Sequence, residues 1–101
     1  MIIEKAKKQA EEMVLFSMNL GDIETECRRK KIRVTKNRHT IEKKLIETLT
    51  KENIEIIVYY DMHKEEIEEA CKIRDIKIVK YEEVMKKNLT DSLIKEYLEN
   101  K

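Results

Sequence analysis

Ile3, Ala6, Ala10, Met13, Ser17 and Met18 recur at steps of three and four, with Glu4, Lys5, Lys7, Lys8, Glu11 and Glu12 between them. That period predicts an amphipathic helix over residues 2–18. Asn19-Leu20-Gly21 is its expected stop: Gly21 is the only glycine of the chain and stands where a helix end uses a positive φ. Asp22 suits the N-cap of a second helix running to about Lys31, with Ile23 and Cys27 on its inner face. Ile32 to Lys36 reads as extended. A third helix is expected from Asn37 or Thr40 to Lys51, because Ile41, Leu45 and Leu49 lie on one stripe at i, i+4 spacing.

The second half changes character. Ile54-Glu-Ile-Ile-Val-Tyr-Tyr60 is β-branched and aromatic and reads as a buried strand. Asp61 would cap a helix carrying Ile67, Ala70 and Cys71 inward, and Ile76-Lys-Ile-Val79 reads as a second strand, so the three form a right-handed βαβ unit. One or two closing helices follow over Tyr81 to Lys87 and Asp91 to Glu99. The expected fold class is therefore α/β (α+β): N-terminal helices with a helix-extended-loop-helix segment over 22–50, then a small βαβ unit and closing helices over 53–101, all in one compact domain. No repeat, linker or low-complexity segment is apparent. Two parallel strands are not stable alone. Met13 to Met18, Arg33 to Thr35 or the same strand of a second copy must complete the sheet, and the last choice predicts a homodimer through Ile54 to Tyr60.

Charge sharpens the picture. From Arg28 to Lys44, nine of seventeen residues are Lys or Arg and Glu42 is the only acid, a local +8; because the 101-residue chain totals +1, the rest sums to −7. An approaching phosphate backbone feels the local field, so this segment points to a polyanionic partner. With 41% hydrophobic and 43% charged residues, one glycine and no proline, the chain reads as globular and not disordered. Residues 1–20 are too interrupted by charge for a signal peptide, and no run approaches the roughly 18 apolar residues of a membrane span. A cytoplasmic protein with no membrane partner is expected, with Cys27 and Cys71 as reduced thiols.

The stretch from Ile23 to Leu45 resembles the helix-extended-loop-helix DNA-binding motif of the SAP domain and its Rho N-terminal and LEM relatives, over residues 22–50. In that comparison Ile32 stands at the family's loop-entry leucine, Asn37 and Arg38 at its two lysines, and Ile41 and Leu45 at leucines of its second helix. The family's two glycines are replaced by Lys31 and Lys36. The resemblance implies a module that docks on duplex DNA. Independently of it, Arg28, Arg29, Lys31, Arg33, Lys36, Arg38, Lys43 and Lys44 cannot all face a core, and Thr35, Asn37 and Thr40 add neutral donors beside a helix N-terminus that offers free N–H groups. Such contacts position a protein on a backbone without reading sequence.

Other chemistry is not encoded in a recognisable form. Cys27, His39, His63 and Cys71 lack the short spacing of zinc ligands, and one glycine cannot build a phosphate-binding loop. Ser92-Leu-Ile-Lys95 matches a Ser-x-x-Lys string without the rest of that apparatus. Glu65, Glu66, Glu68 and Glu69 read as a solvated acidic helix face. The expectation is a non-enzymatic DNA-binding protein without metal or cofactor. The alternative is an interaction module or small regulator that sets the same basic patch on an acidic protein surface.

Overall fold

A computed structural model describes residues 2–100. Its elements are α1 (Ile2–Glu12), a π-helical turn (Met13–Ser17), α2 (Leu20–Arg29), α3 (Arg38–Ile56), a second π-helical turn (Ile57–Asp61), α4 (Lys64–Ile73) and α5 (Glu82–Glu99). Among the described residues there is no strand, so the expected βαβ unit is overturned and the fold is all-helical.

The error has a local cause. Short apolar runs cannot be assigned by periodicity alone, and Ile54 to Tyr60 was such a run. Ile54, Ile57 and Val58 are buried while Glu55, Ile56 and Tyr60 are exposed, which is the one-sided burial of a helix and not the alternation of a strand. No Gly or Pro separates this run from Lys51, so α3 continues through Ile56 and into the π turn, closed by Met62 N–H donating to the Ile57 carbonyl at 3.1 Å. With no strand at Ile54 to Tyr60 there is no sheet edge for a second copy to pair with. Ile76 to Val79 has no regular secondary structure, and the closing helices are the single α5.

Gly21 also does other work than expected. It lies inside α2 with no positive φ, and α2 is capped by Asn19, whose Oδ1 accepts from Asp22 N–H at 2.9 Å while Asp22 Oδ2 accepts from Asn19 N–H at 3.3 Å. A Cβ on Gly21 would sit 3.3 Å from Asn19 Oδ1, so the missing side chain leaves room for the cap.

The chain divides into two compact units between Asn53 and Ile54. The first has a core of Ala10, Val14, Ile23, Cys27, Ile41, Leu45 and Leu49, flanked by Met18, Ile32, Val34 and Ile46. Adding 44 to each core number gives Ile54, Val58, Ile67, Cys71, Met85, Leu89 and Leu93, and every one of these is buried. The same offset carries Met13–Ser17 onto Ile57–Asp61, Leu20–Arg29 onto Lys64–Ile73, and the start of α3 at Arg38 onto the start of α5 at Glu82. Residues 13–56 and 57–100 are identical at 13 of 44 positions. The chain is thus a tandem duplication, a repeat that the expectation of a repeat-free sequence missed.

Both short helices end in the same way. Lys31 and Asp75 have φ of 60° and 57°, the only positive φ values among the described non-glycine residues. In each unit the next residue reaches back to the last turn: Ile32 N–H donates to the Cys27 carbonyl at 2.7 Å and Ile76 N–H to the Cys71 carbonyl at 2.8 Å. Lys31 N–H meets the Arg28 carbonyl and Asp75 N–H the Lys72 carbonyl, both at 3.2 Å. These are two Schellman closures without glycine. Lys31 therefore adopts the left-handed backbone that glycine takes most readily.

Candidate nucleic-acid interface

In the first unit, α2 delivers the chain into an eight-residue connection, 30–37, and α3 begins at Arg38. Asn37 stands just before α3: its Oδ1 accepts from Thr40 N–H at 3.2 Å and its carbonyl from Ile41 N–H at 3.2 Å. Its side-chain oxygen is thus committed to capping, which leaves the amide nitrogen as the donor facing outward. Thr35 is half-buried, with Oγ1 donating to the Asn37 carbonyl at 3.4 Å, so it braces the turn.

The structure sorts the basic residues into three groups. Lys31, Arg33, Lys36, Lys43 and Lys44 are exposed and make no ion pair among the described residues. Arg28, Arg29 and Arg38 are exposed but rest against acids one turn away: Arg28 with Glu24 at 3.5 Å, Arg29 with Glu26 at 2.6 Å and Arg38 with Glu42 at 2.8 Å. Exposed pairs of this kind contribute about 0.3–0.5 kcal/mol, so a phosphate can displace the carboxylate at little cost. Lys30 stands apart, half-buried, with Nζ 2.8 Å from both Glu52 carboxylate oxygens, and it ties the end of α2 to α3. All ten candidate residues from Arg28 to Lys44 therefore fall within one helix-connection-helix segment, eight of them with charged heads toward solvent.

The second unit repeats the frame with altered charge. Lys77, Lys80 and Lys87 occupy the places of Arg33, Lys36 and Lys43, and all three are exposed and without an ion pair among the described residues. Asp75, Glu82, Glu83 and Asn88 replace Lys31, Arg38, His39 and Lys44. Sequence reasoning passed over these lysines because Asp75, Glu82 and Glu83 interrupt their run; comparing the chain with itself at a shift of 44 would have found them.

Remaining chemistry is sparse. Cys27 and Cys71 are buried and free, and burial pushes both thiols up in pKa, against a smaller lowering effect of Arg28 and of Arg74 respectively. Among the described residues no three His, Cys, Asp or Glu side chains cluster as metal ligands would, and no helix is long and apolar enough to cross a membrane. Compared with protein-family models, with curated proteins and with solved structures, the chain matches none of them.

Proposed function

We propose that this protein binds duplex DNA, setting the helix-connection-helix segment of its first unit against the phosphate backbone with little reading of base sequence. One observation carries the reading: Lys31, Arg33, Lys36, Lys43 and Lys44 are exposed cations that make no ion pair among the described residues, gathered in a stretch of local charge +8. Five such cations in seventeen residues repel one another, and releasing counterions from a polyanion relieves that repulsion while supplying the binding free energy. Arg28, Arg29 and Arg38 add guanidinium groups that exchange an acid of their own helix for a phosphate. The N-terminus of α3 presents its first free N–H groups beside them.

The test is a titration of the purified chain into a fluorescent duplex at low and at physiological salt. Micromolar affinity that falls steeply with salt is expected. No binding at low salt would sink the reading.

A second reading, docking on an acidic protein, is favoured by one feature: Phe16 and Tyr60 are 83% and 82% exposed at equivalent places in the two units. Exposed aromatic side chains are typical anchors of protein interfaces. If it holds, the chain shows no salt-sensitive affinity for duplex DNA, and Phe16→Ala with Tyr60→Ala abolishes capture of the acidic protein partner.

A further inference from the structure

We propose that the second unit carries a second, weaker phosphate-contacting surface, formed by Lys77, Lys80 and Lys87 on the connection and first turns of α5, so that one chain holds two DNA contacts. The inference rests on the DNA-binding reading and goes beyond it.

The distribution of charge supports it. The first unit has 13 Lys and Arg against 9 Asp and Glu, and the second has 9 against 12, so their totals are +4 and −3. Yet residues 72–88, the counterpart of 28–44, hold six basic and three acidic side chains, a local +3. Subtracting that segment leaves −6 for the rest of the second unit, as subtracting +8 leaves −4 for the rest of the first. Both halves therefore concentrate their basic excess in the same stretch of the same fold, even though the second half as a whole has turned acidic. A solvated surface without a ligand has no reason to keep that segregation while the surrounding charge reverses.

Position and pairing agree. Lys36 and Lys80 are identical across the duplication, as are Lys43 and Lys87, and Arg33 is matched by Lys77. Lys86, the neighbour that does not correspond to a cation of the first unit, is the one drawn inward: its Nζ lies 3.6 Å from Glu82, 3.4 Å from the Tyr59 carbonyl and 5.7 Å from the centre of the Tyr59 ring. Arg74 is likewise held, 3.2 Å from Glu96. Lys77, Lys80 and Lys87, with Lys72 in the place of Arg28, make no ion pair among the described residues, whereas Arg74 repeats the inward tie of its counterpart Lys30. Loss of four polar or basic side chains, at Asp75, Glu82, Glu83 and Asn88, makes the second surface the weaker one.

Two triple variants of the full chain test this: Arg33→Ala/Lys36→Ala/Lys43→Ala and Lys77→Ala/Lys80→Ala/Lys87→Ala, each titrated into a duplex of about 30 base pairs across a salt series, with circular dichroism to confirm retained helix. The second variant is expected to lose about fivefold in affinity or more and to flatten the dependence of log K on log salt by one to nearly three, at about 0.9 for each phosphate contact removed. The first should lose more. A second variant that binds like the parent while the first is weakened overturns the second surface and leaves the DNA-binding reading standing. Both variants binding like the parent, or a parent that does not bind, overturns the two together.

Discussion

Lys30 places its Nζ 2.8 Å from both carboxylate oxygens of Glu52, and the same tie between the short and the long helix recurs 44 residues on as Arg74 with Glu96 at 3.2 Å. The cation is the more enclosed partner in both pairs, with side-chain exposure of 16% for Lys30. A partly enclosed pair lies between the exposed pairs that contribute under about 1 kcal/mol and the buried ones whose breaking costs several. Glu52→Gln is accordingly expected to destabilise the protein by about 1–2 kcal/mol. Urea unfolding of Glu52→Gln, Lys30→Met and the double variant would show a coupling between the two sites; additive effects would mean that the pair contributes nothing as a pair.

Thr90 is buried with an Oγ1 that has no hydrogen-bond partner, and its counterpart in the first unit is Ile46, an apolar side chain. An unmet buried hydroxyl costs about 1–3 kcal/mol, and valine has nearly the same shape. Thr90→Val should raise stability by about 1 kcal/mol, seen as a higher Tm in a thermal melt. Thr50→Val should do the opposite or nothing, because Thr50 Oγ1 donates to the Ile46 carbonyl at 2.7 Å.

Asp75 holds a left-handed backbone that a Cβ disfavours. Asp75→Gly removes that strain while keeping both hydrogen bonds of the closure, against the extra freedom of glycine in the unfolded chain. A net gain of about 0.5 kcal/mol is expected, and Asp75→Val, branched at Cβ, should lose more than 1 kcal/mol by the same measurement.

Cys27 and Cys71 are enclosed thiols whose pKa values burial raises above the unfolded-chain value. The folded state therefore keeps these protons to higher pH than the unfolded state. The stability this confers is complete below the unfolded value and is lost as pH rises through the folded one. Denaturation midpoints should be insensitive to cysteine titration at neutral pH and fall in the alkaline range, and Cys27→Ala/Cys71→Ala should show a smaller alkaline fall. Thiol reagents should modify neither residue at neutral pH until denaturant is added.

The helical pattern of the first half was readable from its spacing, although its punctuation was not: Asn19, and neither Gly21 nor Asp22, marks the start of α2. Ile41, Leu45 and Leu49 mark α3 by spacing, and Ile32 to Lys36 lies in the non-helical connection before it. The second half was misread at Ile54 to Tyr60, where seven residues rich in Ile, Val and Tyr satisfied a strand template and a helix template alike. The two copies hold the answer that neither gives alone: Val14 and Val58 share a place, and Met13-Val14-Leu15-Phe16, which continues the helical period of residues 2–18, corresponds to Ile57-Val58-Tyr59-Tyr60. The candidate basic residues were visible as charge. What was not visible is that Lys30 is spent inside the unit, since its partner Glu52 lies 22 residues away.

Charge has also been exchanged within equivalent pairs. Arg38 meets Glu42 one turn along α3, and Glu82 meets Lys86 one turn along α5, the same bridge with its signs reversed.

The shared inner face of α2 and α4 poses a sorting problem for the nascent chain. Ile23 and Cys27 match Ile67 and Cys71 side chain for side chain, so the long helices cannot tell their proper short helix from the other by the fit of those residues. One difference on that face discriminates: Ala70 is buried, and Glu26 stands in its place in α2. Seating α2 in the second unit would bring a carboxylate to a place where the chain buries an alanine. The reverse exchange meets no such barrier, and only the eight-residue tethers of 30–37 and 74–81 oppose it, by making the correct neighbour the nearer one. When chains refold at high concentration that advantage of nearness shrinks, and exchange of α4 between molecules is the misassembly to which this architecture is exposed.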